Sequence, residues 1–163
     1  MSKMNVGEKF VPAFFLDVVE RGEVFEPGNW PLHITTFPPI LHHYDEQFGE
    51  DMRALINPFS PFVVRVGGND LFGPDRDLPV KRIEPSLPLQ GLHYMLIKAV
   101  GNLLHDPTYR QPYNPHISVE DYDQVPTGTE LEIGGISLVE KQTSGLWTVV
   151  DKVGLRGKHE TTS

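Results

Sequence analysis

Trp30-Pro31-Leu32-His33-Ile34-Thr35-Thr36 and Tyr113-Asn114-Pro115-His116-Ile117-Ser118-Val119 are two versions of one pattern. Each has an aromatic residue, a nearby proline, then His-Ile and a hydroxyl residue. Both stretches are short, apolar and β-branched, which predicts strands. Residues two apart in a strand share a face. His33 and Thr35 therefore point the same way, as do His116 and Ser118, while Ile34 and Ile117 turn into a core. One copy lies in each half of the chain. If the two strands lie side by side, two imidazoles and two hydroxyls converge on one surface.

The pattern around these stretches is strand-rich. Residues 10–19 read as a strand with Pro12 near its start, and residues 21–31, with Gly22, Pro27, Gly28 and Pro31, as a loop. Tyr44, Phe48, Met52, Leu55 and Ile56 form one helical stripe, stopped by Asn57, Pro58 and Pro61. Residues 62–66 read as a strand, Gly67-Gly68-Asn69-Asp70 as a hairpin turn, and residues 80–83 as another strand. A second helix is predicted over 88–105, with Pro88 in its first turn and Asp106-Pro107 at its stop. Strands are predicted near 114–119, over 130–139 and over 146–155. The order is α+β, with helices on mostly antiparallel sheets. A helix and a strand pair recur in each half.

The chain has 163 residues, which predicts one domain spanning 1–163. Residues 1–9 and 157–163 are expected to fray. There is no cysteine, so disulfides, zinc–cysteine sites and thiol catalysis are excluded. No apolar run approaches the roughly 20 residues of a membrane helix, and the N-terminus lacks a secretory pattern. The cytoplasm is the default compartment. The net charge is −8. An acidic surface repels a long nucleic-acid backbone, so no long duplex partner is expected. A short anionic ligand held at one local site fits.

Two imidazoles and two hydroxyls match the demands of phosphodiester chemistry. A neutral imidazole can take a proton from the attacking oxygen while a protonated one gives a proton to the leaving oxygen. Hydroxyls can donate to the nonbridging oxygens as charge accumulates there. No metal or cofactor is required. The alternative is two strand histidines that donate to backbone carbonyls and do nothing else; that reading expects them far apart.

The chain resembles the 2H phosphoesterases, the 2′-5′ RNA ligase-like and cyclic phosphodiesterase superfamily, which carries two His-x-[Thr/Ser]-x motifs on strands. Here they are His33-Ile34-Thr35-Thr36 and His116-Ile117-Ser118-Val119. Leu71-Phe72-Gly73 stands where that family has a Phe-Gly strand end, and the resemblance runs over residues 10–156. It implies a two-lobed, pseudo-symmetric α+β fold, with antiparallel sheets forming a central cleft and helices outside. It also implies His33 and His116 as the acid–base pair, with Thr35 and Ser118 binding phosphate. For hydrolysis of a cyclic phosphate, His116 is assigned as base and His33 as acid, although the symmetry permits the reverse. Two departures concern substrate: acidic Glu120-Asp121 follows the second motif, and the aromatic near the last strand is Trp147 rather than tyrosine.

Trp147 and Phe37 are candidates to stack on a nucleobase, worth about 1–3 kcal/mol per base; core packing is the competing role for Phe37. Lys81 and Arg82 are candidates to meet phosphate, against a solvated strand face. Tyr113 is a candidate pocket residue, with ordinary packing as its alternative. His42 and His43 are adjacent, so they point apart and do not suggest a metal site. His93 and His105 read as structural or exposed. The leading expectation is a metal-independent phosphodiesterase acting on a nucleoside 2′,3′-cyclic phosphate or a short 2′-5′ or 3′-5′ linked oligonucleotide, with RNA processing as its setting. The alternatives are an anti-defence enzyme degrading cyclic oligonucleotide signals, and a non-catalytic module binding a nucleotide or RNA end. A monomer is favoured.

Overall fold

A computed structural model describes residues 9–42, 44–103 and 113–157. Residues 1–8 and 158–163, where fraying was expected, lie outside the described residues, as do His43, His105 and the Asp106-Pro107 helix stop. In chain order the elements are β1 (Phe10–Phe15), β2 (Val24–Phe25), β3 (His33–Thr35), α1 (Glu46–Ile56), β4 (Phe62–Phe72), β5 (Leu78–Ile83), α2 (Leu87–Val100), β6 (His116–Ser118), β7 (Glu130–Ile133), β8 (Gly135–Lys141) and β9 (Trp147–Gly154). The strands form one sheet in the order β2-β9-β8-β1-β3-β6-β5-β4-β7. Every pairing among them is antiparallel. The α+β expectation of antiparallel sheet with two helices describes this architecture.

Alternation along the strands separates two apolar layers. Phe10 and Phe14 of β1 join the larger core, while Val11, Ala13 and Phe15 face the other way into a smaller one. The larger core holds the helix stripes, with Phe48, Met52 and Ile56 from α1 and Leu89, Leu92 and Leu96 from α2. Ile34 and Ile117, both fully buried, belong to it. Burying each such side chain stabilises the fold by about 1.5–3 kcal/mol. The helices thus cover the isoleucine face of β3 and β6 and leave the histidine face to the smaller layer.

Both helices start on side-chain caps. Asp45 accepts from the Phe48 N–H at 2.8 Å and Ser86 from the Leu89 N–H at 3.2 Å. Over the described residues the second α-helix is shorter than expected. It ends at Val100 and tightens into a 3₁₀ turn over Gly101–Leu103, whose Leu103 carbonyl accepts from the Leu41 N–H at 2.7 Å. α1 is tied to β9 through buried Asp151, which accepts from Arg53 at 2.7 Å and from the Tyr44 hydroxyl. Burial, reinforced by Asp151, pushes the Tyr44 hydroxyl up to about 12. Among the described residues no helix is long and apolar enough to cross a membrane.

Four strand readings differ from the expectation. The first strand stops at Phe15, and the loop of residues 21–31 contributes β2 to the sheet edge beside β9. Gly67-Gly68-Asn69-Asp70 is not a turn but the interior of β4, where the register against β5 shifts between Val66 and Asn69. A bulge suits glycine without requiring a reversal. The reversal comes later, at Gly73, whose φ of 97° lies in the left-handed region. The run 130–139 breaks at Gly134 into β7 and β8, which sit far apart in the sheet.

Candidate active site

β3 and β6 lie side by side at the centre of the sheet with Ile34 opposite Ile117. In an antiparallel ladder the residues flanking an opposed pair fall opposite each other. His33 therefore comes across from Ser118, and Thr35 across from His116. All four share the face turned away from the two isoleucines. They make a square with each imidazole facing the other motif's hydroxyl and the histidines on a diagonal. Diagonal neighbours in a ladder stand about 7–8 Å apart, a spacing that two imidazoles can close on one phosphorus centre. The far-apart expectation of the incidental-histidine reading is not met: the His116 charge is among the causes that lower the His33 pKa.

Each ring is held in the same way. His33 Nδ1 lies 2.8 Å from the Pro31 carbonyl oxygen, and His116 Nδ1 lies 2.8 Å from that of Asn114. A carbonyl oxygen only accepts, so each Nδ1 carries a proton and donates it. This leaves both Nε2 atoms free to take or give a proton. The surroundings differ. His33 packs against Trp30, with centroids 5.0 Å apart, and Phe15, at 5.4 Å. Burial lowers its pKa most, the Pro31 bond opposes that, and the His116 charge adds to the lowering. His116 meets the edge of Phe72 at 4.6 Å. Arg82 pairs with His116 across β5 and β6, so it shares that face. Its guanidinium sits 5.8 Å from the Phe72 centroid and 2.5 Å from Asp70.

A cavity of about 710 Å³ opens on this face, lined by His33, Thr35, Ser118, Trp30 and Trp147 among others. Its size lies within the range of small-ligand pockets, about 300–1,000 Å³. Trp30 and Trp147 meet edge to face with centroids 5.1 Å apart and wall the His33 end.

The sequence-predicted residues divide. His33, Thr35, Ser118 and Trp147 line the cavity, while His116 and Arg82 share that sheet face without lining it. Three others do not reach it. Phe37 is fully buried and packs on His93 at 5.5 Å, so it cannot stack on a ligand. Lys81 pairs with Ile117, which sends it to the opposite face from His116. There it is buried, and its Nζ donates to Asn69 Oδ1 at 2.6 Å and Thr127 Oγ1 at 2.8 Å. Tyr113 is buried and stacks flat on His93, centroids 4.0 Å apart and planes 4° apart.

Tyr113 instead joins the motifs. It precedes the second, and its hydroxyl donates to the Thr35 carbonyl of the first at 2.7 Å. His93 Nδ1 lies 3.0 Å from the next carbonyl, that of Thr36. Tyr113→Phe removes the crossing hydrogen bond and keeps the ring. The expected loss is about 1 kcal/mol of stability, read as a lowered urea midpoint with an unchanged denaturant slope. An unmoved midpoint counts against this link.

Sequence reading passed over Trp30 and Phe72 as site residues. Trp30 had a signal, an aromatic upstream of each motif, but Tyr113 at the matching place does different work.

An antiparallel sheet whose two central strands each carry His-x-[Ser/Thr] on one face is the arrangement that defines a 2H phosphoesterase. The chain belongs to the 2′-5′ RNA ligase superfamily, whose family model matches residues 22–152. TT0787 of Thermus thermophilus has a similar solved structure, with a TM-score of 0.61 at 25% identity, covering 93% of this chain and 100% of that one. Escherichia coli LigT complexed with 3′-AMP shares the fold at a TM-score of 0.59 and 14% identity, covering 91% of this chain and 98% of that one. Kluyveromyces marxianus Usb1 shares it at 0.51 and 12%, covering 90% and 98%. A comparison with curated proteins returned no match. Phosphoester chemistry is the activity class this membership supports.

Proposed function

We propose that the chain is a metal-independent phosphodiesterase that hydrolyses a nucleoside 2′,3′-cyclic phosphate. The observation that carries this reading is the square of His33, Ser118, Thr35 and His116 set by the Ile34–Ile117 register. On this reading the cavity is a cleft shared by two related halves, each supplying a histidine with the same carbonyl bond.

The surroundings of the two rings favour different roles. The tryptophan wall stands at His33. A nucleoside stacked there brings its ribose oxygen, the leaving group, to the His33 ring. Water arrives from the His116 side. His116 Nε2 takes a proton from that water as its oxygen bonds to phosphorus. The bond from phosphorus to one ribose oxygen breaks, and His33 Nε2 gives that oxygen a proton. Ser118 and Thr35 hydroxyls donate to the nonbridging oxygens. The product is a nucleoside monophosphate, and solvent resets both rings. The test is turnover in EDTA of a panel of nucleoside 2′,3′-cyclic phosphates with short linear and cyclic oligonucleotides, products read by mass spectrometry. Binding of the panel without turnover of any member replaces this reading with a binding module.

The half-buried His33 sets a pH dependence. Burial holds its proton affinity below the ordinary 6.5. The kcat/KM profile reports the free enzyme, so one limb is expected below pH 6.5. A bound phosphodiester anion favours the protonated ring, so the same limb moves to higher pH in kcat. Stability follows the same group. Below pH 6.5 the unfolded chain binds the His33 proton more readily than the folded one, so stability falls as pH drops through that range. A kcat/KM profile with both limbs above 6.5 contradicts the assignment.

A further inference from the structure

We infer that the cavity reads the base of its nucleotide and that Glu120 and Gln124 select guanine; this rests on the phosphodiesterase reading of the same site. Both residues border the cavity that contains His33, Ser118, Trp30 and Trp147. β3 and β6 run antiparallel with Ile34 opposite Ile117. Glu120 lies two residues past the end of β6 and lines the same cavity as Trp30 and Trp147. The acidic residue therefore belongs to the cavity but stands outside the four side chains carried by β3 and β6.

The 3₁₀ turn after β6 (Tyr122–Gln124) fixes the hydrogen-bonding sense of Gln124. Its Oε1 accepts from the backbone N–H of Glu120 at 2.7 Å and of Asp121 at 3.2 Å. Backbone N–H groups only donate, so the amide oxygen is committed to them and Nε2 is left as a donor. The Glu120 carboxylate has no hydrogen-bond or ion-pair partner among the described residues. The cavity edge therefore presents a two-oxygen acceptor and an amide donor.

Among the four bases only guanine offers two adjacent N–H donors, N1 and N2, to one carboxylate, with an acceptor, O6, next to them. Adenine and cytosine place one amino donor beside an acceptor nitrogen. Uracil places one N–H between two acceptors, one of which would face the carboxylate. The stack on tryptophan is indifferent to base identity, so discrimination falls to this edge. A hydrogen bond to a charged group left unmade separates substrates by about tenfold to a hundredfold.

The test measures binding and turnover separately. Binding of the four nucleoside 3′-monophosphates is read from quenching of tryptophan fluorescence, and kcat/KM is measured on the four 2′,3′-cyclic phosphates in EDTA. Guanosine is expected to lead adenosine by at least about tenfold in both, with inosine, which lacks the N2 amine, falling between. Glu120→Gln is expected to bring the guanosine-to-adenosine ratio close to one. Four nucleotides within about threefold of one another, a different preferred base, or an unchanged ratio in Glu120→Gln overturns the inference. Turnover without base preference leaves the phosphodiesterase reading standing, whereas guanine-selective binding without turnover sinks that reading and keeps this one.

Discussion

His33→Ala and His116→Ala each lower kcat on a nucleoside 2′,3′-cyclic phosphate by about 10²–10⁴-fold, the range for loss of a positioned acid or base. EDTA changes neither the parent rate nor the variants. The loss is expected without unfolding. Each imidazole stands on the cavity face, while Ile34 and Ile117 hold the strands from the other side. Neither ring belongs to the helix-covered core. The double variant loses little beyond the worse single one, because an acid without its base completes no proton exchange. Initial rates paired with urea midpoints separate catalysis from stability. Turnover undiminished in either variant, with the fold intact, removes that histidine from the reaction.

Why the four side chains could be paired from sequence, but not placed, lies in strand geometry. Period-two alternation fixes which residues share a face within a strand, so His33 with Thr35 and His116 with Ser118 follow from spacing alone. Register between strands is another matter. Nothing in residues 33–35 or 116–118 says that Ile34 meets Ile117, and a one-residue slip would turn one motif's histidine to the opposite face. The two copies are remote in sequence, and their adjacency depends on the whole sheet order.

Lys81 and Arg82 show the same rule misapplied. Two neighbouring cations look like one basic patch in a sequence. In a strand they must diverge, so at most one could share the His116 face. The structure gives that place to Arg82 and buries Lys81 against Asn69 and Thr127. Gly67-Gly68 misled for a different reason. Paired glycines signal turns because glycine reaches positive φ, but Gly67 and Gly68 are not among the glycines that do, whereas Gly73 is. β2 was invisible because two residues carry no period, and its partner β9 supplies the order. Phe37 and Tyr113 are aromatics near the motifs whose direction only the packed helix α2 decides, through His93.

The division of labour between the rings is open to a sharper experiment than deletion alone. A cyclic phosphate expels a ribose alkoxide, which needs a proton as it departs. A nucleoside monophosphate p-nitrophenyl ester expels a phenolate that leaves as a stable anion. An enzyme lacking only its acid should therefore fail on the first substrate and work on the second. With His33 at the tryptophan wall as acid, His33→Ala is expected to stay within about tenfold of the parent on the aryl ester while losing about 10²–10⁴-fold on the cyclic phosphate. His116→Ala, lacking the base that activates water, is expected to lose heavily on both. A spared His116→Ala reverses the roles, and the nucleoside then lies against the Phe72 and Arg82 side instead. Equal losses for both variants on both substrates mean that neither ring is a dedicated acid. The two imidazoles would then act mainly through charge on the phosphate, and the low proton affinity that burial gives His33 would weaken that action as pH rises.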